Sequence, residues 1–422
     1  MALEVVTFGC RLNIVESEAL RLKAEAAGLG HAAIVNSCAV TAEAARQARQ
    51  AVRRLKREEP GRPVIVTGCA AQIEPSRFAA MPEADRVLGN DEKLDDGVWS
   101  RLARSNSLGE ATAPDDKLAV GDIMARTAIR PAPTGRLSGH TRGFVQVQNG
   151  CDHRCTFCVI PFGRGNSRSL PIGDVVGQCR KLLEGGAREI VLTGVDLTSY
   201  GRDLPGEPSL GLLAGAILRA LPELPRLRLS SIDAVEVDDA LRDLVANEPR
   251  LMPHLHLSLQ HGDDLILKRM KRRHSREEAI RFCAELKALR PGLVFGADLI
   301  AGFPTEDEAM EARSLSLIEE CGLSYVHVFP YSPRPGTPAA RMPQLPGALV
   351  AERAARLRQA ALAAQERHLA QRLGRRLSVL TERGNTGRAE DFTLVRFAQA
   401  VEPGQILPVL AQAQDGRALL AA

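Results

Sequence analysis

The sequence has few aromatic residues, no long apolar run and no basic leader segment at its start. Aromatic residues make up 4% of the 422 residues, and only one of them is Trp. A membrane-spanning helix needs about 18 consecutive apolar residues, and no stretch of the sequence approaches this length. The first ten residues run into a strand-like segment and contain neither a basic region nor a cleavage site of the kind found in export signals. Membrane insertion and export are therefore not expected, and we predict a cytoplasmic protein with no membrane partner.

Neither a strong charge of one sign nor a disordered composition is present. Hydrophobic residues make up 45% of the chain and charged residues 25%, which are ordinary values for globular proteins. The net charge is only +4, yet basic residues gather in three places. The first has arginines at helical spacing, and the second packs six basic residues into 268–276: Arg46, Arg49, Arg53 and Arg57; Lys268, Arg269, Lys271, Arg272, Arg273 and Arg276. The third, 341–396, has 11 Arg against 5 acidic residues. Any one cluster alone fits a solvated helix face, but the three together favour a polyanionic partner.

Three regions differ in their pattern of strands and helices. Strand-like and helix-like segments alternate from 1 to about 95 and again from about 140 to 345. The last 50 residues instead have short strand-like runs between turns. This pattern predicts the α/β class, with an N-terminal parallel α/β domain (1–125), a (β/α) partial barrel (137–371) and a small C-terminal β-barrel (372–422).

Nine cysteines in a chain without an export signal indicate metal binding or catalysis rather than disulfides. Cys179, Cys283 and Cys321 lie inside helical patterns among apolar neighbours, so we expect them in the core.

Cys151, Cys155 and Cys158 form a C-x3-C-x2-C group directly after a predicted strand. Three thiolates on one loop suit three corners of a 4Fe-4S cluster and leave the fourth iron open. A structural zinc site is the alternative, but it needs a fourth ligand nearby. This spacing resembles the radical S-adenosylmethionine (SAM) superfamily, in which the open iron binds SAM.

Cys10, Cys38 and Cys69 are far apart in sequence, but each follows a predicted strand. Because the carboxyl ends of parallel strands share one edge of a sheet, these thiols can converge there around a second cluster. The alternative is three buried structural cysteines.

The two cysteine groups, with the three-part organisation, resemble the radical SAM methylthiotransferase family over essentially the whole chain. The specific segments are 7–18 (TFGCRLNIVESE), 36–41 (NSCAVT), 150–161 (GCDHRCTFCVIP) and 329–337 (FPYSPRPGT). The resemblance implies a radical SAM barrel, a C-terminal RNA-binding module of the TRAM type, two 4Fe-4S clusters and SAM. It also implies chemistry on the clusters, with no acid–base residue.

The resemblance further implies roles for particular residues. Those expected to line the SAM or substrate pocket are Phe157, Gly194, Ser231, Gln260, Asp298 and Gly302. Those expected to contact RNA are Arg46, Arg49, Arg53, Arg272 and Arg273.

The segment 39–44 (AVTAEA), followed by the arginine-rich helix, resembles the branch that acts on N6-threonylcarbamoyladenosine at tRNA position 37. Partners implied are a tRNA anticodon loop, an electron donor such as flavodoxin or ferredoxin, and a sulfur source. One SAM would donate a methyl group to sulfur, and another would make the radical that removes hydrogen from adenine C2. Alternatives are the same chemistry on N6-isopentenyladenosine or a ribosomal-protein aspartate and, more distantly, a non-catalytic zinc-containing RNA-binding protein.

Overall fold

The computed structural model describes residues 3–104, 113–132 and 141–421, and these form two compact units. The first unit comprises Met1–Thr134, Gln148–Arg154 and Cys158–Leu170, and the second comprises Gly135–Val147, Cys155–Phe157 and Pro171–Ala422. Among the described residues, no helix combines the length and apolar character needed to cross a membrane.

The strands are β1 (Glu4–Thr7), β2 (Ala33–Ser37), β3 (Val64–Gly68), β4 (Arg86–Leu88), β5 (Leu118–Ala119), β6 (Arg142–Gln146), β7 (Gln148–Asn149), β8 (Arg168–Ser169), β9 (Glu189–Thr193), β10 (Arg226–Leu229), β11 (Ser231–Ile232), β12 (His254–Gln260), β13 (Val294–Ala301), β14 (Leu323–Pro330), β15 (Arg376–Glu382), β16 (Thr386–Ala389), β17 (Leu394–Phe397), β18 (Ile406–Leu410), β19 (Ala413–Gln414) and β20 (Leu419–Ala421). The α-helices are α1 (Arg11–Ala26), α2 (Ala42–Glu58), α3 (Cys69–Ile73), α4 (Pro75–Ala79), α5 (Asp96–Arg104), α6 (Ile160–Arg164), α7 (Ile172–Glu184), α8 (Leu210–Ala220), α9 (Asp239–Asn247), α10 (Asp264–Met270), α11 (Arg276–Leu289), α12 (Glu308–Glu320) and α13 (Gly347–Ala370).

The first unit is built on a parallel sheet with the order β1-β2-β3-β4-β5. Successive strand residues point to opposite faces, so Ile34 and Ile65 pack with α1 and α5, while Val35 and Val66 pack with α2, α3 and α4. Both faces are thus covered, as a buried parallel sheet requires. The carboxyl ends of its strands carry the three N-terminal cysteines.

Helix α1 begins at Arg11, six residues before the helix start at Ser17 that its apolar pattern predicts. Its first turns carry Asn13 and Glu16, polar residues that the sequence pattern marks as surface but that are 1% exposed. Both face partners within the first unit, so their burial reflects a polar site rather than an apolar core.

The second unit contains parallel strands in two sheets, with the orders β10-β9-β6 and β11-β12-β13-β14. Helices α7, α8, α9, α11 and α12 separate these strands along the chain. The alternation of parallel strands and helices is the predicted partial (β/α) barrel. Functional groups in such folds gather at the carboxyl ends of the strands.

A six-stranded sheet, β18-β15-β16-β17-β20-β19, ends the chain and is mostly antiparallel. Within the second unit it packs on the barrel through Phe392, whose ring stacks on His254 at 5.0 Å and lies 5.0 Å from the guanidinium of Arg228. Arg228 is itself buried and ion-paired with Glu189. The fold class is thereby confirmed, including a β module at the C-terminus, whereas the domain boundaries stay predictions.

Candidate iron–sulfur sites

Cys10, Cys38 and Cys69 lie at one edge of the N-terminal sheet. Each comes within three residues of the end of β1, β2 or β3, and these strands are parallel neighbours in register. Cys38 and Cys69 are buried, whereas Cys10 is exposed. The sheet thus brings together three thiols that are 28 and 31 residues apart in sequence, from 10 to 38 and from 38 to 69.

Short distances and electrostatics show how close these thiols are. A Cβ on Gly9, the neighbour of Cys10, would lie only 2.8 Å from Cys38 Sγ. Burial, together with the neighbouring Cys69 and Cys10 thiols, raises the pKa of Cys38 to about 11. Three thiolates at this spacing would repel one another unless a cation lay between them.

Arg164 reaches the same cluster of thiols from α6. Its Nε–H donates to Cys69 Sγ at 3.1 Å, and its Nη2 donates to Glu16 Oε2 at 2.9 Å and to Asn13 Oδ1. The side chain is 2% exposed. Helix α6 packs on α3, and Gly163 permits the approach because a Cβ there would lie 3.3 Å from the Cβ of Cys69.

Two further buried residues complete this network. Lys93 Nζ donates to Glu16 Oε2 and to Asn90 Oδ1, each at 2.7 Å, and Asn90 Nδ2 lies 3.8 Å from Cys69 Sγ. Burial alone would raise the pKa of Glu16, but Arg164 and Lys93 outweigh it and hold that pKa below its usual value. Burial lowers the pKa of Lys93, whereas Glu16 and the Cys69 thiol favour its charged form; a protonated Lys93 with Arg164 leaves a net positive charge against the one carboxylate beside the thiols.

These residues fit an iron–sulfur cluster. Three cysteine thiolates are the ligands such clusters take, and three rather than four leave one iron without a protein ligand. The buried positive charge would offset the negative charge of a thiolate-bound cluster, and N–H donors to sulfur are a common feature of such sites. Cys10, Cys38 and Cys69 would hold the cluster, and Asn13, Glu16, Asn90, Lys93 and Arg164 would surround it.

Cys151 and Cys158 lie in the part of the first unit that follows β7. Gly150 has a left-handed backbone, φ +76°, and a Cβ there would come within 1.9 Å of Asn166 O, so only glycine fits before Cys151. The Cys151 N–H donates to Gly165 O at 3.1 Å, and the Ile160 N–H donates to Cys158 Sγ at 3.4 Å. This backbone donor again suits a cysteine that ligates a cluster.

Cys155, the middle member of the group, is held within the second unit. The next residue, Thr156, donates its N–H to Met270 O and its hydroxyl to Arg269 O, at 3.1 and 2.7 Å. Arg272 lies 3.8 Å from Cys155 Sγ and pairs with Asp233 at 2.6 Å. Within the second unit, Cys155 is thus held by hydrogen bonds of the residue that follows it and lies beside the Arg272 guanidinium; each of the three cysteines of the group is half-buried.

The residues predicted to line the SAM or substrate pocket lie along the barrel strands. Gly194 follows β9, Ser231 begins β11 and Gln260 ends β12. Gly302 follows β13 with φ +73°. Gln260 has φ +69°, a backbone conformation that residues other than glycine rarely adopt.

Two further members of that set lie nearby in the second unit. Phe157 meets Phe303 edge to face at 6.5 Å, and Asp298 lies in β13. None of the contacts described for these six residues tests their assignment to the SAM or substrate pocket, which stays a prediction.

The predicted RNA-contacting arginines divide into two groups. Arg46 and Arg53 are exposed on α2, at 53% and 57%, and Arg49 is partly buried. Arg272, in contrast, is 8% exposed and is held by Asp233, while Arg273 pairs with Glu236 at 2.6 Å. Arg46 also pairs with a carboxylate, Glu43 at 2.6 Å, but that pair is exposed on both sides whereas Asp233 and Glu236 are buried, so α2 is the better placed of the two clusters.

Sequence reasoning missed Asn13, Glu16, Asn90, Lys93 and Arg164. None has a local signal for this role, because the contacts that place them around the thiols join residues as far as 151 positions apart in sequence. It also missed His256 and His327, which lie on either side of Asp298 in the second unit. The expectation for Cys179, Cys283 and Cys321 is confirmed, since all three are at most 2% exposed.

Comparison with known proteins identifies the family of the chain. Residues 145–318 match the model of the Radical SAM superfamily, and residues 2–89 match Uncharacterized protein family UPF0004. The chain is 48% identical to the threonylcarbamoyladenosine tRNA methylthiotransferase MtaB of Rickettsia prowazekii, over 96% of this chain and 93% of that protein. It is 33% identical to the tRNA-2-methylthio-N(6)-dimethylallyladenosine synthase of Roseobacter denitrificans, over 96% of this chain and 95% of that protein.

Among solved structures, the radical SAM methyltransferase TsrM of Kitasatospora setae has a similar fold. The TM-score is 0.56 at 17% identity, covering 81% of this chain and 77% of that one. At this identity the likeness concerns the fold alone. The near full-length relatives go further: the chain belongs to the radical SAM methylthiotransferase family, in its MtaB-like branch.

Proposed function

We propose that this enzyme converts N6-threonylcarbamoyladenosine at position 37 of tRNA to its 2-methylthio derivative. The observation that carries the proposal is the 48% identity, over nearly the whole of both chains, to a relative named for that substrate. The relatives named for dimethylallyladenosine are 33 to 35% identical. Two three-cysteine groups, one in the N-terminal sheet and one after β7, match the two clusters that the reaction requires.

The protein would hold its cofactors with the residues already described. Cys151, Cys155 and Cys158 would bind one 4Fe-4S cluster, and Cys10, Cys38 and Cys69 the other. When bound, these clusters and SAM supply the radical, the sulfur and the methyl group, so the protein needs no acid–base residue for the transfer.

The chain's own residues would position the reactants. Phe157 would lie against the SAM adenine and Gly194 beneath its amino end, while Ser231 and Gln260 would reach SAM or substrate. The left-handed backbone of Gln260 supports its assignment, because strained residues persist where the surrounding structure imposes them and often lie at functional sites.

The anticodon loop is the proposed site of contact on tRNA. Adenine C2 is inaccessible in a stacked loop, so the base would have to be splayed out before reaction. Exposed Arg46 and Arg53 on α2 would contact loop phosphates. We further propose a cytoplasmic location, a low-potential electron donor such as flavodoxin or ferredoxin, and a separate sulfur source. The division at 1–125, 137–371 and 372–422 is part of the same proposal.

A comparison of substrates tests the reaction. The reconstituted enzyme, with SAM, reductant and sulfide, is given anticodon stem-loops that carry threonylcarbamoyladenosine, isopentenyladenosine or plain adenosine. We expect one hydrogen to be replaced by a methylthio group, with the corresponding mass increase, only in the stem-loop that carries threonylcarbamoyladenosine. Product only on isopentenyladenosine, or only on a ribosomal protein, would replace the proposed substrate by that alternative.

An iron count tests the two clusters separately. Anaerobic reconstitution should give about eight cluster irons per chain, and about four after Cys151, Cys155 and Cys158 are changed to Ala. A fall from four to none would leave a single cluster and contradict the second site. Zinc without iron or sulfide would instead support a non-catalytic zinc protein.

A further inference from the structure

Two histidines and an aspartate form a compact group on three neighbouring strands of the second unit. His256 is on β12, Asp298 on β13 and His327 on β14, and these strands are parallel neighbours. His256 Nε2 lies 2.9 Å from Asp298 Oδ1, and His327 Nδ1 lies 3.1 Å from the same oxygen. The three ligand atoms all lie within 4.8 Å of one another.

The spacing suits a metal ion. An ion bound about 2.1 Å from two donors at right angles separates them by about 3.0 Å, which matches each of the two N···O distances, and the two imidazole nitrogens lie within 4.8 Å of each other. Gly296 makes room for the His256 ring, since a Cβ there would lie 2.6 Å from Nδ1. Side-chain exposures of 11% for His256, 24% for Asp298 and 64% for His327 leave one side of the group open to further ligands.

We propose that His256, Asp298 and His327 bind one divalent first-row transition ion of the Fe(II) type. Two imidazoles and one carboxylate with open positions are ligands that Fe(II) takes outside clusters. The open positions would take water or another oxygen ligand. This site shares no ligand with the two cysteine groups, and Asp298, which the family resemblance places in the SAM or substrate pocket, would bind the ion instead.

Mössbauer spectroscopy of the full chain reconstituted with excess 57Fe(II) tests the site, because mononuclear high-spin Fe(II) has a quadrupole doublet distinct from that of 4Fe-4S clusters. We expect one such iron per chain beside the clusters, and its loss in His327→Gln. His327 is mostly exposed, so this variant should fold, and His31→Gln, also on an exposed histidine, is the matched control. Absence of the doublet in the unaltered protein, or its persistence in His327→Gln, would overturn the proposal and leave a hydrogen-bonded triad.

A separate observation concerns the second cluster, and this inference rests on that cluster being present. We infer that Arg164 is a positioning residue that fixes the Cys69 thiolate and raises the reduction potential of the cluster it ligates. The Nε–H to Sγ hydrogen bond of 3.1 Å stabilises negative charge on sulfur, which increases on reduction. Glu16 and Asn13 hold the guanidinium in place.

The test uses the full chain with Cys151, Cys155 and Cys158 changed to Ala, so that only the second cluster remains. Arg164→Lys keeps the charge but loses the geometry of the hydrogen bond, and we expect a more negative potential in an EPR-monitored redox titration. Arg62→Lys is the control, since Arg62 is also buried in the first unit but donates to Glu4 and backbone carbonyls.

Iron loss from Arg164→Lys with a native circular dichroism spectrum would also support the assignment, because Cys69 would then have lost its support. An unchanged potential with full iron content would overturn it. Absence of iron in the parent triple variant would contradict the second cluster itself, and therefore the proposed function.

Discussion

Gly68, at the end of β3, allows this strand to lie close to β2 just before Cys69. Its φ is +94°, and a Cβ would lie 2.3 Å from Ser37 O and 2.4 Å from Ser37 N, on the neighbouring strand. Backbone atoms of a buried strand cannot move aside as a flexible side chain can, so any side chain at 68 separates β2 from β3 just before Cys38 and Cys69.

We expect Gly68→Ala to destabilise the protein by about 2 kcal/mol or more, since it combines a left-handed φ with a backbone clash. Chemical denaturation followed by circular dichroism measures this, and the iron count should fall by about four. The control is Gly173→Ala in α7, where a Cβ meets nothing within 4 Å, and which should be neutral or slightly stabilising. Equal stability of the two variants would contradict the steric argument.

His368, on α13, is a second residue whose surroundings set its behaviour. Burial lowers its pKa to about 4, and Arg372 and Lys287 oppose its protonation, although Asp391 favours it. Arg372 already pairs with Asp391 at 2.8 Å. The neutral ring bonds Thr393 Oγ1 at 2.9 Å, joining α13 to the C-terminal sheet.

Because the folded pKa lies below the unfolded value of 6.5, the unfolded state binds the proton first as the pH falls. Stability from this group is complete above about pH 6.5 and is lost toward pH 4, by up to about 3 kcal/mol. We expect the melting temperature to fall between pH 7 and 5, and to fall less in His368→Gln. Parallel falls in both proteins would show that His368 does not titrate in this range.

At the scale of elements, α2 presents opposite properties on its two sides. Ala45, Ala48 and Val52 pack into the core of the first unit, while Arg46 and Arg53 are exposed. Glu43 accepts from Arg46 at 2.6 Å, but an exposed pair of this kind contributes little to stability and can be exchanged for a phosphate.

Reversing these two charges, in Arg46→Glu with Arg53→Glu, should weaken tRNA binding without unfolding α2. Each lost phosphate contact should reduce the slope of log K against log salt by about 0.7 to 0.9. Arg101→Glu on α5 is the control, because α5 packs on the opposite face of the sheet. Fluorescence anisotropy over a salt series measures both, and equal effects of the α2 and α5 changes would remove α2 from the interface.

The order of elements was predictable from sequence, but the starts of some elements and the residues around the clusters were not. The patterns of strand-like and helix-like segments predicted the two α/β regions and the β region at the C-terminus. They missed the first six residues of α1, because Asn13 and Glu16 are polar and buried. Glu16 is buried against Arg164, 148 residues away, and hydrophobic periodicity holds no information about such a pair.

At the scale of the whole molecule, a cluster would link segments that are far apart in sequence. Cys10, Cys38 and Cys69 follow three different strands, so a bound cluster would cross-link three loops at one sheet edge. The C-terminal sheet, by contrast, contacts the barrel through Phe392, which stacks on His254, and through Glu390 O, which accepts from Arg228 at 3.1 Å. The two regions should therefore respond differently to loss of iron.

We expect removal of iron to increase amide exchange around Cys10, Cys38 and Cys69 and at the start of α1, because metal binding contributes directly to local stability. Exchange in β15–β18 should stay the same. Hydrogen–deuterium exchange with mass spectrometry compares the loaded chain, the iron-free chain and the loaded variant with these three cysteines changed to Ala. That variant should resemble the iron-free chain at this edge alone, since its other cluster remains. If its exchange there equals that of the loaded protein, the three cysteines do not hold a cluster, and their convergence at the sheet edge is a feature of the core.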